Sequence, residues 1–130
     1  MTSPGGCKLI AGKVGQQKFV MAVVKDGECD VERFLAGLPK RANAQFSVLF
    51  ERYCAVGFLR SPDHWRRLQV DKKKPDVWEM KVHFNPGYRL YGVVEGNTFV
   101  ATHGSEKPKK NALEQHVGRA RDDYMQNCTT

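Results

Sequence analysis

No apolar run in this chain approaches the ~20 residues that a membrane-spanning helix needs. The segment 1–18 is interrupted by Gly5, Gly6, Gly12 and Gly15 and holds no apolar signal core. These absences set the expectation of a cytoplasmic protein without a membrane partner. Metal-ligand spacing is missing as well. Cys7, Cys29, Cys54 and Cys128 are scattered, with no CxxC or CxxH pair among them. A disulfide framework calls for an oxidising compartment that nothing in the chain announces, so free thiols are expected. There is no carboxylate cluster suited to magnesium, no glycine-rich phosphate loop, no Cys–His nucleophile arrangement and no internal repeat. A metal nuclease and a nucleotide hydrolase are thereby disfavoured, and no cofactor or metal is expected.

What the chain does have is positive charge. It carries 21 Lys and Arg against 14 Asp and Glu, a formal net charge of +7 over 130 residues. Such a field steers anions, and Lys or Arg contacts to phosphates release counterions. The cations also cluster. Arg60, Arg66, Arg67, Lys72, Lys73, Lys74, Lys81 and Arg89 form one group, and Lys107, Lys109 and Lys110 a second. A solvated basic surface would show the same charge, so clustering rather than charge points to a polyanion.

The length fits one domain with a modest core. Residues 1–17 are expected to form a flexible arm, within which 8–12 could add a short strand; 18–126 form the domain and 127–130 a tail. The run 18–24 (KFVMAVV) reads as a first strand buried on both faces. Asp30 is a suitable N-cap, followed by Val31, Phe34, Leu35 and Leu38 at helical spacing. Pro39 breaks that helix. A second helix carries Ala42, Phe46, Leu49, Phe50 and Tyr53 on one stripe and stops at Gly57. Residues 58–75 read as a charged connection anchored by Trp65 and Leu68. Strands follow at 77–84, 88–95 and 98–103, with turns at 85–87 and 96–97, and from Lys107 the chain reads as a terminal helix packed through Leu113, Val117, Ala120 and Tyr124. The fold class is α+β: a strand, a helical hairpin, an antiparallel three-strand meander and a C-terminal helix.

Pairing arithmetic extends this reading. Opposed residues of an antiparallel pair share a face. A three-residue loop at 85–87 sets Phe84 opposite Tyr88, Val82 opposite Leu90, His83 opposite Arg89, and Lys81 facing Tyr91. Trp78, Met80, Val82, Phe84 and Leu90 then pack on the helices. Lys81, His83, Arg89 and Tyr91 form a cationic, aromatic-bearing outer face suited to phosphates and unstacked bases. A two-residue loop in the next hairpin would turn His103 toward the core and a three-residue loop would bring it beside Tyr91; both remain open. His64 and His116 read as surface residues, and Tyr88 and Tyr124 as packing residues.

The segments VERFLAGLP (31–39), VWEMKVHF (77–84), GYRLYGVVEGN (87–97), VATHG (100–104) and RARDDY (119–124), in that order, resemble the RelE/ParE toxin superfamily. The likeness is to its phage-derived HigB-like branch and spans roughly 19–124. The resemblance implies the toxin of a type II toxin–antitoxin system, a ribosome-dependent mRNA endonuclease that cleaves through 2′-hydroxyl attack without metal. Its implied partners are the ribosome, mRNA and a cognate antitoxin, typically a small helix-turn-helix protein. For that chemistry Arg89 would stabilise charge on the phosphate, Lys81 would bind phosphate, His83 or His103 would move protons, and Tyr91 would stack on a base or orient the hydroxyl. Lys72, Lys73, Lys74, Arg67, Lys107, Lys109 and Lys110 would bind RNA. The short lysine segment 106–110 also leaves open a non-cleaving toxin acting on a protein such as DNA gyrase, or a degenerate phage-derived RNA-binding protein.

Overall fold

The computed structural model describes residues 5–68 and 72–128. Residues 1–4, 69–71 and 129–130, which belong to the expected arm, connection and tail, lie outside the described residues. The protein is α+β, and its described residues form a six-stranded mixed sheet and three α-helices. The strands are β1 (Gly5–Ala11), β2 (Phe19–Lys25), β3 (Trp65–Leu68), β4 (Val77–Val82), β5 (Tyr88–Glu95) and β6 (Thr98–Glu106). The helices are α1 (Asp30–Ala36), α2 (Lys40–Val56) and α3 (Leu113–Asn127), the last preceded by a 3-10 turn at Lys110–Ala112. Spatial order is β1-β2-β6-β5-β4-β3. Strand β2 runs parallel to β6, and every other neighbouring pair is antiparallel.

The sheet is packed on both faces. Helix α2 buries Ala42, Phe46, Leu49, Phe50, Tyr53 and Cys54, a stripe at helical spacing. It meets Val20, Ala22, Met80, Val82, Leu90, Phe99 and Ala101. Gly57 ends the helix in the left-handed conformation at φ 95°, and its N–H reaches Tyr53 O at 2.9 Å. On the opposite face α3 lays Val117, Ala120 and Tyr124 over Val23, Tyr91, Val93 and Val100. Burying each large apolar side chain stabilises the fold by about 1.5–3 kcal/mol.

Several expectations are corrected. Residues 5–11 of the supposed arm form the edge strand β1, paired antiparallel with β2. The charged connection contains β3, where Trp65 and Leu68 are indeed buried. The terminal helix starts at Leu113 rather than near Lys107. Cys29, not Asp30, is the N-cap of α1 and makes no side-chain cap bond; the Asp30 carboxylate instead takes Arg119 at 3.0 Å. The cysteines are not all free. Cys7 on β1 is bonded to Cys128 at the end of α3, with Cα atoms 6.0 Å apart, while Cys29 and Cys54 are thiols.

The β4–β5 register also differs. Val82 faces Tyr88, Lys81 faces Arg89, Met80 faces Leu90 and Glu79 faces Tyr91. Beyond Val82 the chain leaves the ladder for the loop 83–87, where Gly87, at φ 96°, turns back to donate its N–H to Phe84 O. The slip from the expected pairing is two residues, so every side chain keeps its expected face.

Candidate nucleic-acid interface

Helix α3 covers only part of its face of the sheet. Beyond its first turn, a cleft of about 710 Å3 opens over β3, β4 and the start of β5. Arg66, Glu79, Lys81, His83 and Arg89 line it from the sheet side, and Lys107, Lys109, Lys110 and Leu113 from the approach to α3. The turn Asn85-Pro86-Gly87 closes one end. Glu79 is the single carboxylate among these cations.

The alternation of β4 sends Glu79 and Lys81 into this cleft while Met80 and Val82 enter the α2 core. Glu79 is fully buried. Its Oε2 accepts from Arg66 Nη2 at 2.9 Å, and its Oε1 lies 3.0 Å from Arg89 Nε, a close charge contact without an aligned hydrogen bond. Arg89 is only 6% exposed and also donates from Nη1 to Tyr88 O at 3.2 Å. The expectation of a free Arg89 guanidinium on an open face is therefore corrected. It lies in the cleft wall, committed to a buried ion pair.

Lys81 and His83 are fixed by the segment leading into β3. Lys81 Nζ donates to Pro62 O at 2.9 Å, and its backbone N–H donates to His64 O. Burial lowers the Lys81 pKa, with Arg66 and Arg89 adding to the effect against the opposing Glu79. His83 Nε2 lies 2.6 Å from Asp63 O. A carbonyl oxygen only accepts, so Nε2 carries the proton, and Nδ1 of the neutral ring is left as a proton acceptor. His83 is exposed. His64, expected on the surface, is half-buried, and its Nδ1–H donates to Lys81 O.

Tyr91 and His103 do not reach the cleft. Both are buried beneath α3, at 0% and 1% exposure. The Gly96-Asn97 turn sets Glu95 opposite Thr98, a register that alone would bring His103 opposite Leu90. Between Gly92 and Tyr91 the ladder shifts, leaving Thr102 as an extra residue and His103 opposite Tyr91. Gly92 permits the close approach here, since a Cβ would collide with Val100 O and lie 2.7 Å from the Phe99 ring. The Thr102 hydroxyl donates to Tyr91 O and accepts from His103 Nδ1 at 2.9 Å. His103 Nε2 is thus left to accept from His116 Nδ1, also at 2.9 Å. Burial, then Arg119, His116 and Lys25, push the His103 pKa down to about 3, and burial lowers that of His116 as well. Burial pushes the Tyr91 phenol up to about 12, where its hydroxyl meets Ser105 Oγ at 3.1 Å. Three expected catalytic residues, Arg89, Tyr91 and His103, are therefore buried, and only Arg89 lines the cleft.

The expected RNA-binding residues divide into two groups. Lys107, Lys109 and Lys110 rim the cleft and make no ion pair among the described residues. Arg67, Lys72, Lys73 and Lys74 do not line it. Arg67 and Lys74 are held by Asp76, at 3.2 and 2.9 Å, and Lys73 O accepts from Arg121 Nη2. Among the residues not expected at the site are Arg66 and Glu79. The alternation of β4 puts Glu79 on the same face as Lys81, and a lone acid on a cationic face is a signal of an internal ion pair.

Among the described residues no three His, Cys, Asp or Glu side chains are arranged to hold a metal ion, and no helix is long and apolar enough to cross a membrane. Neither a protein-family model nor a curated protein matches this chain.

Proposed function

We infer that the protein is the toxin of a type II toxin–antitoxin system, an endoribonuclease that acts on mRNA at the ribosome and is restrained by a cognate antitoxin. The observation that carries this reading is the cationic cleft, in which His83 offers a carbonyl-fixed ring nitrogen beside Lys81. RNA supplies its own nucleophile. His83 Nδ1 takes the proton of a 2′-hydroxyl, whose oxygen attacks the adjacent phosphorus. The bond from phosphorus to the 5′-oxygen breaks, and that oxygen takes a proton from the Lys81 ammonium, leaving a 2′,3′-cyclic phosphate. Arg66, the exposed guanidinium of the cleft, stabilises charge on the phosphate oxygens, and Arg89 adds its field from the buried ion pair. Proton transfers of this kind contribute about 10²–10⁴-fold each.

The test is cleavage of message on translating ribosomes, with mapping of product ends. Wild type is expected to leave cyclic phosphates, and His83→Ala to cut at least ~100-fold more slowly while melting normally. Equal cleavage by His83→Ala overturns the mechanism, and intact messages overturn the activity.

A second reading is favoured by the burial of Arg89, Tyr91 and His103. In it the cleft binds RNA without cutting, as a degenerate relative of such toxins would. Binding of RNA with no product ends, even on the ribosome, selects it.

A further inference from the structure

Lys81 and His83 sit at the end of β4 and just beyond it, and one short turn holds them both. Lys81 Nζ donates to Pro62 O at 2.9 Å, and His83 Nε2 donates to Asp63 O at 2.6 Å. Carbonyls of two successive residues thus set the proton donor and the proton acceptor of the cleft. What aims those carbonyls is an exchange of hydrogen bonds at His64. The β3–β4 register carries the pairing one step past Trp65 and Met80, to His64 opposite Lys81. A hydrogen-bonded antiparallel pair exchanges two backbone bonds. Here Lys81 N–H donates to His64 O at 3.0 Å, but the His64 N–H turns to Arg60 O at 2.9 Å. That second bond curls residues 60–64 back over the strand. Lys81 O, whose ladder donor has gone to Arg60, takes the His64 ring instead, 3.1 Å from Nδ1. The same ring packs against that of His83, with centroids 5.4 Å apart.

The side chain of His64 therefore stands in for its own backbone. Without a donor on that side chain, Lys81 O is either left unpaired, which is costly for a half-buried carbonyl, or reclaims the His64 N–H. Reclaiming it straightens 60–64 and draws Pro62 O and Asp63 O away from Lys81 and His83. We propose that His64 is a positioning residue: by bonding Lys81 O it holds the turn that aims the Lys81 ammonium and the His83 ring at the RNA strand. His64 does not line the cleft and acts only through those two side chains. The proposal rests on the reading of the cleft as a ribonuclease site. It also says which side chains can serve. Asparagine carries an amide nitrogen at the same remove from Cα as Nδ1 of histidine, whereas leucine has the shape of asparagine and no donor.

The experiment has two arms, both on the full chain. Long-range proton–nitrogen correlation spectra of wild type, at about pH 8.5 where an ordinary histidine is neutral, read the tautomer of His64. The proton is expected on Nδ1, because a carbonyl only accepts. A proton on Nε2 overturns the proposal without any variant. The second arm is single-turnover cleavage of message on ribosomes over a range of protein concentration, which separates the maximal rate from the half-saturating concentration. His64→Leu is expected to lower the maximal rate by about 10–100-fold, the effect of moving a reacting group by roughly 1 Å, and to leave the half-saturating concentration little changed. His64→Asn is expected to recover most of that rate. Thermal melting accompanies each variant, and His64→Ala takes the place of His64→Leu if the latter does not fold. A folded variant without the donor that cleaves as fast as wild type overturns this proposal alone, as does His64→Asn cleaving no faster than His64→Leu. Wild type that leaves message intact overturns the parent reading and this proposal with it.

Discussion

Tyr91 and His116 lie face to face, with ring centroids 4.5 Å apart and planes within 7° of parallel. One is on β5 and the other on α3, so the contact holds the helix against the sheet and closes Tyr91 off from the cleft. Among the described residues the phenol hydroxyl has a hydrogen bond to Ser105 Oγ alone. Tyr91→Phe is therefore expected to leave RNA binding and cleavage unchanged while lowering stability by about 0.5–1.5 kcal/mol, the worth of one hydrogen bond. Urea denaturation and a cleavage assay check the two halves. A large loss of cleavage in a variant of near-normal stability would return Tyr91 to the reaction.

Beneath the same helix, His103 makes stability depend on pH with a definite sign. Its folded-state pKa is pushed from the ordinary 6.5 down to about 3. Below pH 6.5 the unfolded chain takes up a proton that the folded protein refuses until about pH 3. Stability is thus fully present above pH 6.5 and falls as the pH drops through that window, by up to about 1.4 kcal/mol per pH unit from this group. Carboxylates held in ion pairs, Asp76 beside Lys74 among them, add their own acid loss. The comparison with His103→Gln isolates the histidine. Urea midpoints measured from pH 7 to pH 4 should fall more steeply in wild type than in the variant, and parallel curves would contradict the assignment.

What could be read from the chain, and what could not, follows from the range of each signal. The α2 stripe and the alternation of β4 are local patterns of period 3.6 and 2, and both were legible. The face of Lys81, His83 and Arg89 was legible for the same reason, since a two-residue slip in register leaves parity intact. Strands β1 and β3 were harder. They are the two edges of the sheet, and they carry Gly5, Gly6, Lys8, Arg66 and Arg67 in place of an apolar run. Without β3 there was no Arg66 beside Glu79, so the floor of the cleft could not be assembled. The burial of Tyr91 needed the placement of α3 across the sheet, and the position of His103 needed the bulge at Thr102. Neither leaves a local trace.

The bond between Cys7 and Cys128 had no local signal either, as its cysteines are 121 residues apart. It joins an edge strand to the end of the last helix. A cross-link closing so long a loop restricts the unfolded chain, and in the chain-entropy account it stabilises by about 3–5 kcal/mol. A dithiol reductant is expected to lower the urea midpoint of wild type, and Cys7→Ser to have the lower midpoint with or without reductant. Equal midpoints for oxidised and reduced wild type would show that the two ends gain nothing from their tether.

The two lysine groups, alike in sequence, are expected to behave differently toward RNA. Lys109 rims the cleft, whereas Lys72 is exposed outside it. Each cation that neutralises a phosphate of single-stranded RNA releases counterions and steepens the fall of log K with log salt by about 0.7. Lys109→Ala should therefore flatten the salt dependence of oligouridylate binding by roughly that amount. Lys72→Ala should shift affinity slightly through the long-range field and leave the slope as it was, because screening removes distant charges without any bound counterion being displaced. Anisotropy titrations across a salt series separate the cases. If Lys72→Ala flattens the slope as much as Lys109→Ala, the strand crosses the 72–74 ridge and the cleft is not its only track. If neither variant changes the slope, the RNA is held by the arginines of the floor alone, and the lysine rim serves only to draw it in.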